Sequence, residues 1–140
     1  MSSEANKLVA RRFIEEFWNQ GRMEAADELV APGCIGWDQP LGPEGFKHAF
    51  SVIKGAFPDL QFGIEDIFAE DDRVAMRVIE RGTHQGEWPG IPIPATGRRI
   101  TVSGIAIFRI AAGQVIQQWF HNDFGTEIQQ LGARIVPGDM

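Results

Sequence analysis

Apolar side chains recur at helical spacing through the first sixty residues. In residues 3–20 they return every three or four positions and charged residues take the opposite side, which is typical of an amphipathic helix. A shorter helix is predicted over residues 23–30, and a third over residues 43–56, where Pro43 falls in the first turn. The stripe of the first helix consists of Val9, Ala10, Phe13, Ile14, Phe17 and Trp18.

The hydrophobic period then changes to two, the spacing of a strand with one buried face. Strands are predicted over residues 60–69 and 73–84, joined as a hairpin by the acidic turn at residues 70–72. Two more strands follow over residues 98–110 and 114–123, and a helix comes directly after the second of them.

Helices followed by a long antiparallel meander predict one segregated α+β domain over residues 1–140. A strongly twisted antiparallel sheet wrapped around the N-terminal helices would form a cone-shaped α+β barrel. In that architecture the pocket residues lie on the concave face of the sheet.

The last predicted strand brings an aromatic ring, an imidazole and a carboxylate to one end. Residues two apart on a strand share a face. The residues aligned in this way are Gln117, Trp119, His121 and Asp123. The grouping suits a ligand pocket in which a desolvated carboxylate transfers a proton and the imidazole assists. Asp123 would equally serve as the N-cap of the following helix, and the residues alone leave both interpretations open.

Composition and charge narrow the class of protein. The chain has 140 residues, of which 44% are hydrophobic and 23% charged, as expected for a soluble globular protein. A net charge of −6 argues against a nucleic-acid partner. Apolar runs are too short for a membrane span, and no secretion signal precedes the first helix. The single cysteine, Cys34, excludes an internal disulfide and fits a cytoplasmic location.

Six further residues are candidates for the pocket lining. They are Phe17, Trp37, Asp38, Met76, His84 and Trp88. Asp38 is a turn residue or a second catalytic carboxylate, and His84 is a pocket-rim group or a hydrogen-bonded structural one. Trp88 is predicted either as an aromatic residue of a lid over the pocket or as a side chain that anchors its own loop. Phe17 and Met76 are core residues first, with lining as a secondary role.

The sequence contains no motif for a metal or a cofactor. The three histidines, His48, His84 and His121, lie far apart, and no glycine pattern cradles a phosphate. Proton transfer inside a dry cavity, without a cofactor, is therefore the simplest chemistry that the residues predict.

Segments that carry a family resemblance cover nearly the whole chain in order. They are VARRFIEEFWNQGRMEAADELVAP (9–32), GPEGFKHAF (42–50), AFPDLQFGIEDIFAEDDRVAMRVIERGTHQGEW (56–88), GIPIPATGRRITVSGIAIFRIAAGQV (90–115) and QQWFHNDFGTEIQQLG (117–132). In them the chain resembles the SnoaL-like polyketide cyclases, within the nuclear-transport-factor-like superfamily that also includes ketosteroid isomerases. The resemblance implies a curved antiparallel sheet packed on helices, a deep pocket and a homodimer formed through the sheet.

The resemblance also implies a general acid/base role for Asp123, which follows Trp119 as an aspartate follows a tryptophan in that family. Two positions depart from the family pattern. Gln118 stands where a histidine is common, and Ala106 stands where cyclases carry histidine or aspartate. His121, on the same predicted face as Asp123, is the expected replacement partner.

The expected function is a cofactor-independent cyclase or isomerase acting on a small hydrophobic or polycyclic substrate. A dehydratase or an epoxide hydrolase would use the same scaffold and the same acid–base chemistry. From another class, Ala106 and Gln118 favour a non-catalytic small-molecule-binding protein. A module that only assembles through its sheet face would leave polar residues in the cavity without a purpose.

Overall fold

The computed structural model describes residues 2–138, which form four α-helices and a six-stranded sheet. Helix α1, Ser3–Arg12, continues without a break into a π-helical segment, Phe13–Asn19. The helix predicted over residues 3–20 is thus confirmed in place, but its second half is wound more widely than an α-helix. This segment buries Phe13, Ile14, Phe17 and Trp18.

Two of the remaining helices have 7 residues each and the third has 15. Helix α2 spans Met23–Leu29, and α3 spans Gly42–Ala56 with Pro43 in its first turn, which confirms both predicted positions. Helix α4, Phe124–Gln130, follows the last strand as predicted. Within residues 2–138, no helix is long and apolar enough to cross a membrane.

The hydrophobic pattern did not predict a β-hairpin that lies between α2 and α3. It consists of β1, Val30–Gly36, and β2, Gln39–Pro40. Trp37 and Asp38 form its two-residue turn with φ of 49° and 59°, as a type I′ turn requires. Strand β1 contains one proline and two glycines, residues that are depleted in strands, and therefore lacks the alternation that reveals the others.

The predicted meander is confirmed. Strands β3, Gln61–Glu70, β4, Arg73–Thr83, β5, Arg99–Ala111, and β6, Gln114–Asn122, pair in sequence as antiparallel neighbours. The expectation of a purely antiparallel sheet is wrong, because β1 joins β6 in parallel. The strand order is β2-β1-β6-β5-β4-β3, and the sheet curves around the helices without closing.

The core lies between the π-helical segment and the inner face of β4 and β5. Phe13 stacks on Phe17 at 5.4 Å between ring centroids and meets the edge of Phe108 at 6.1 Å. Each fully buried phenylalanine contributes roughly 1.5–3 kcal/mol. Ile14 and Trp18, from the same segment, reach past this packed centre to the wall of a cavity.

Candidate active site

A cavity of about 360 Å³ lies between the inner face of the sheet and the helices. Its walls are mostly apolar and aromatic, and include Trp18, Ile53, Phe62, Phe108 and Phe120. Trp37 and Phe124, which are 44% and 37% exposed, mark the side on which the cavity opens. A cleft of this volume suits a small organic molecule.

Two carboxylates are buried in the lining of this cavity. Glu80 comes from the inner face of β4, on which Met76 and Val78 precede it, and is 7% exposed. Glu127 comes from the first turn of α4 and is 2% exposed. Neither takes part in an ion pair found among residues 2–138.

Asn122, at the end of β6, joins the two carboxylates. Its side-chain nitrogen donates to Oε1 of Glu80 at 3.0 Å and to Oε1 of Glu127 at 3.1 Å. An amide nitrogen has two hydrogens, so these bonds use its full donor capacity. We name Glu80, Asn122 and Glu127 the acid cluster.

Burial changes the titration of the acid cluster. Desolvation, together with the repulsion of Glu127, raises the pKa of Glu80 to about 7, while the hydrogen bond from Asn122 lowers it in part. Desolvation likewise raises the pKa of Glu127. The cluster therefore holds a proton near neutral pH, and so can both accept and donate one.

Gln118 is the other buried polar residue of the lining. Its side chain is on the inner face of β6, opposite Phe108, and the residue is 6% exposed. Within residues 2–138 its amide has no hydrogen-bond partner. Because Gln118 lines the cavity, this amide is free to hydrogen-bond a polar group of a bound molecule.

On the face of β6 that was predicted to line the pocket, His121 reaches the cavity, whereas Gln117 and Trp119 do not. Strand β5 buries its even-numbered residues, and the register pairs Ala106 with Phe120 and Ile107 with Trp119. Trp119 therefore lies on the outer face, with the Arg73 guanidinium 5.7 Å from its ring centroid. His121 is exposed and contributes to the lining at the rim of the cavity.

Asp123 is exposed and lies outside the cavity lining. Its carboxylate accepts hydrogen bonds from the amide of Thr126 at 3.2 Å and from the Thr126 hydroxyl at 2.7 Å. These bonds lower its pKa, where a desolvated base would have a raised one. Asp123 is the N-cap of α4, the alternative that the sequence left open. A catalytic role for it stays a prediction.

Two of the other sequence candidates reach the cavity. Trp37 lines it from the β1–β2 turn, and Trp88 lines it from the loop after β4. The Trp88 ring packs edge-on against Phe57 at 5.4 Å and Phe124 at 6.0 Å, which ties its loop to α4. Asp38 is exposed in the turn and does not line the cavity.

Three predicted lining residues are buried in the packed interior instead. Phe17 and Met76 belong to the core, and neither reaches the cavity surface. His84 is fully buried, with Nδ1 3.1 Å from the Thr96 hydroxyl oxygen and its ring 5.3 Å from that of Phe57. Its other ring nitrogen, Nε2, is buried and has no hydrogen-bond partner within residues 2–138.

The acid cluster was missed by reasoning from the sequence. One signal was available, since Glu80 is a carboxylate on an otherwise apolar strand face. Asn122 and Glu127 gave no comparable signal. Within residues 2–138, no three His, Cys, Asp or Glu side chains are grouped so as to hold a metal ion.

Fold and cavity together define an α+β protein that encloses a cavity between a curved sheet and its helices. The family model of the SnoaL-like polyketide cyclases matches residues 8–131, and the chain belongs to this family. Aklanonic acid methyl ester cyclase DauD from Streptomyces sp. strain C5 is 30% identical over 132 residues, which cover 89% of this chain and 80% of that protein.

Solved structures agree with this assignment. TsrD from Streptomyces laurentii superposes with a TM-score of 0.83 at 27% identity, covering 95% of this chain and 98% of that one. IdmH from Streptomyces antibioticus gives a TM-score of 0.79 at 27% identity, covering 91% and 99% of the two chains.

Proposed function

We propose that this chain is a cofactor-independent polyketide cyclase that closes a carbon ring within one substrate molecule. The observation that carries the proposal is the mostly apolar cavity in which buried carboxylates hold a proton near neutral pH. Membership of the SnoaL-like family and the similarity to a methyl ester cyclase support the same activity.

The chemistry is an intramolecular aldol closure. A base in the cavity takes a proton from a carbon next to a carbonyl group, and the enolate carbon bonds to a second carbonyl carbon of the same molecule. The alkoxide formed at that carbonyl then takes up a proton. The product is an isomer of the substrate with one new carbon–carbon bond. An acid–base pair whose pKa lies near the working pH serves both proton transfers.

The substrate class follows from the lining. Aromatic side chains on several walls, among them Trp18, Phe62 and Phe120, suit the flat faces of a polycyclic molecule. The polar side chains of Gln118 and the acid cluster offer hydrogen bonds to its carbonyl and hydroxyl oxygens. We therefore propose a polycyclic ketone or ester as the substrate.

The test incubates the purified chain separately with aklanonic acid methyl ester, a steroid ketone and a small epoxide, and separates the products by chromatography with mass detection. Quenching of tryptophan fluorescence reports binding, because Trp18, Trp37 and Trp88 line the cavity. A new compound of unchanged mass supports the proposal. Loss of one water would instead indicate a dehydratase, and addition of water to an epoxide an epoxide hydrolase. Quenching with no product from any compound would indicate a binding protein.

We also propose a homodimer formed through the outer face of the sheet. Phe68, Ala75, Ile107 and Trp119 are aligned as successive cross-strand partners from β3 to β6. Phe68 is 65% exposed and Ile107 is 36% exposed, so this apolar row is open to a second copy. Contiguous apolar area of this kind is unusual on a monomer surface.

A further inference from the structure

We propose that Glu80 is the residue that moves the proton in this cavity, with Glu127 as a second carboxyl and Asn122 as the side chain that positions both. The inference rests on the proposed function, because a catalytic role needs a reactive molecule in the cavity. It goes beyond the family resemblance, which points to Asp123. Asp123 is assigned here to capping α4.

Access to the cavity distinguishes Glu80 from Asp123 as the candidate base. All three members of the acid cluster line the cavity, whereas the Asp123 carboxylate is turned to the amide and hydroxyl of Thr126. A proton on a bound molecule can be reached from Glu80 without rearrangement. Reaching it from Asp123 would require the cap of α4 to break first.

The energetic cost of the acid cluster argues for a functional role. Burying two carboxylates without a cation is unfavourable, and a single amide offsets little of that cost. Glu80 accepts one hydrogen bond, from Asn122, so its side chain adds little to the stability of the fold. Strongly perturbed carboxylates in a cleft are typical of functional sites.

Gln118 supplies independent support for a ligand at this place. The residue is buried and lines the same cavity, and its amide makes no hydrogen bond within the described part of the chain. It lies on the same face of β6 as Asn122, four residues earlier. A substrate whose carbonyl oxygen accepts from Gln118 would thus lie beside the acid cluster.

The proton balance of the step is simple. Ionised Glu80 takes the proton from the carbon next to the substrate carbonyl and becomes neutral. After the new carbon–carbon bond forms, the same carboxyl returns a proton to the alkoxide oxygen and is ionised again. No electron leaves the substrate, and no co-reactant is consumed.

The charged groups around Glu80 are few. The cavity lining contributes two other titratable groups, Glu127 from α4 and His121 from β6. Its residues from the helices before β3, from β3 and from β5 carry no charge. Asn122 and Glu127 act on the pKa of Glu80 in opposite directions, which gives each a measurable signature.

The experiment uses 5-nitrobenzisoxazole, a flat aromatic probe that one base converts to a coloured cyanophenolate. The base takes the proton on carbon, and the nitrogen–oxygen bond breaks. We expect saturable elimination by the wild-type chain, with a rate that rises with pH through the pKa of Glu80. Glu80→Gln keeps the acceptor for Asn122 but cannot take a proton, so the rate should fall about 100-fold or more.

Glu70→Gln, at the exposed end of β3, is the matched control and should leave the rate unchanged. Asp123→Asn should keep the rate within about threefold, because asparagine is also a good N-cap. The proposal is overturned if the wild-type chain shows no elimination above buffer, or if Glu80→Gln keeps its rate. Loss of elimination in Asp123→Asn alone would transfer the role to Asp123.

The pH profile tests the two neighbours of Glu80. Glu127→Gln removes a like charge and should move the midpoint of the rate profile to lower pH. Asn122→Ala removes a bond that favours the ionised form and should move it to higher pH. Unchanged midpoints in both variants would contradict the arrangement, since a merely structural role predicts no such pair of shifts.

The probe also separates this inference from the proposed function. Elimination that depends on Glu80, together with no ring closure of any polyketide ester, would leave the base in place and refute the cyclase. Ring closure that survives Glu80→Gln would keep the cyclase and refute Glu80 as its base.

Discussion

The side-chain nitrogen of Asn122 lies 3.0 Å from Oε1 of Glu80, although the two residues belong to strands that are not neighbours in the sheet. Strand β5 lies between them and presents Gly104 opposite Asn122. A Cβ at Gly104 would come within 3.0 Å of the Phe120 ring, so the glycine makes room for Phe120 beside this contact. This contact, with Glu127 on the other amide hydrogen, is the polar centre of the cavity.

Glu80 should make the folded state less stable at high pH than at low pH. Its pKa is raised from 4.5, the value for the unfolded chain, to about 7 in the folded state. The stability that this shift contributes is therefore fully present below pH 4.5 and is lost as the pH rises through 7. The shift corresponds to roughly 3–4 kcal/mol at 1.36 kcal/mol per unit. Urea denaturation of wild type and Glu80→Gln at pH 5 and pH 8.5 measures it.

The expected result is that the stability of Glu80→Gln relative to wild type increases between the two pH values. Comparing the two proteins at the same pH removes the contributions of the other titrating groups to stability. A difference between the two proteins that stays constant from pH 5 to pH 8.5 would show that Glu80 titrates normally.

Asp123→Ala should lower the free energy of unfolding by about 1 kcal/mol, the usual cost of losing an N-cap. The bonds from Thr126 to the Asp123 carboxylate are the ones lost. Asp123→Asn should retain most of the stability, because its side-chain oxygen still accepts from the backbone. If Asp123→Ala kept full stability and lost turnover, the capping role would be refuted and the catalytic role favoured.

The sequence predicted correctly those helices and strands that bury one face and expose the other. Strand β4 alternates Met76 and Val78 inside with Arg77 outside, so its period was plain. The amphipathic stripe of residues 3–20 was equally clear. Strand β1 carried no such alternation, because proline and glycine interrupt it and its parallel partner β6 is remote in sequence.

The candidate site was only partly predictable, because alternation does not say which face of a strand is inward. Strand β6 has an aromatic on each face, Trp119 outside and Phe120 inside, and polar residues on both. Only the register with β5 decides between them. Glu80 stood out on an apolar face, but its bond to Asn122 spans 42 residues and could not be inferred from spacing.

Ile107→Lys should convert the proposed homodimer to a monomer. The substitution places a charge in the middle of the apolar row on the outer face, opposite Ala75 and Trp119. Light scattering coupled to size-exclusion chromatography should show a change from twice the chain mass to the chain mass. Thr101→Lys, exposed on the same strand but outside the row, is the control. A wild-type chain that is already monomeric at micromolar concentration would contradict the proposal.

Gly86→Ala should destabilise the protein, because a Cβ there would overlap the carbonyl oxygen of Gly55 at the end of α3. The backbone on both sides has little freedom to move, so we expect a loss of about 1–3 kcal/mol. Gly55→Ala is the matched control, since a Cβ at Gly55 meets no atom within 4 Å. It should be neutral or stabilising by a few tenths of a kcal/mol up to about 1 kcal/mol. Equal stability of the two variants by urea denaturation would contradict the packing described.

The most direct test of the central claim is the stereochemistry of ring closure. Aklanonic acid methyl ester is incubated with wild type and with Glu80→Gln, and products of unchanged mass are resolved on a chiral column. A cyclase that works in this cavity should give a large excess of one stereoisomer, and Glu80→Gln should give no more product than buffer. Unchanged starting material, or the same mixture of stereoisomers in buffer and with wild type, would contradict the account.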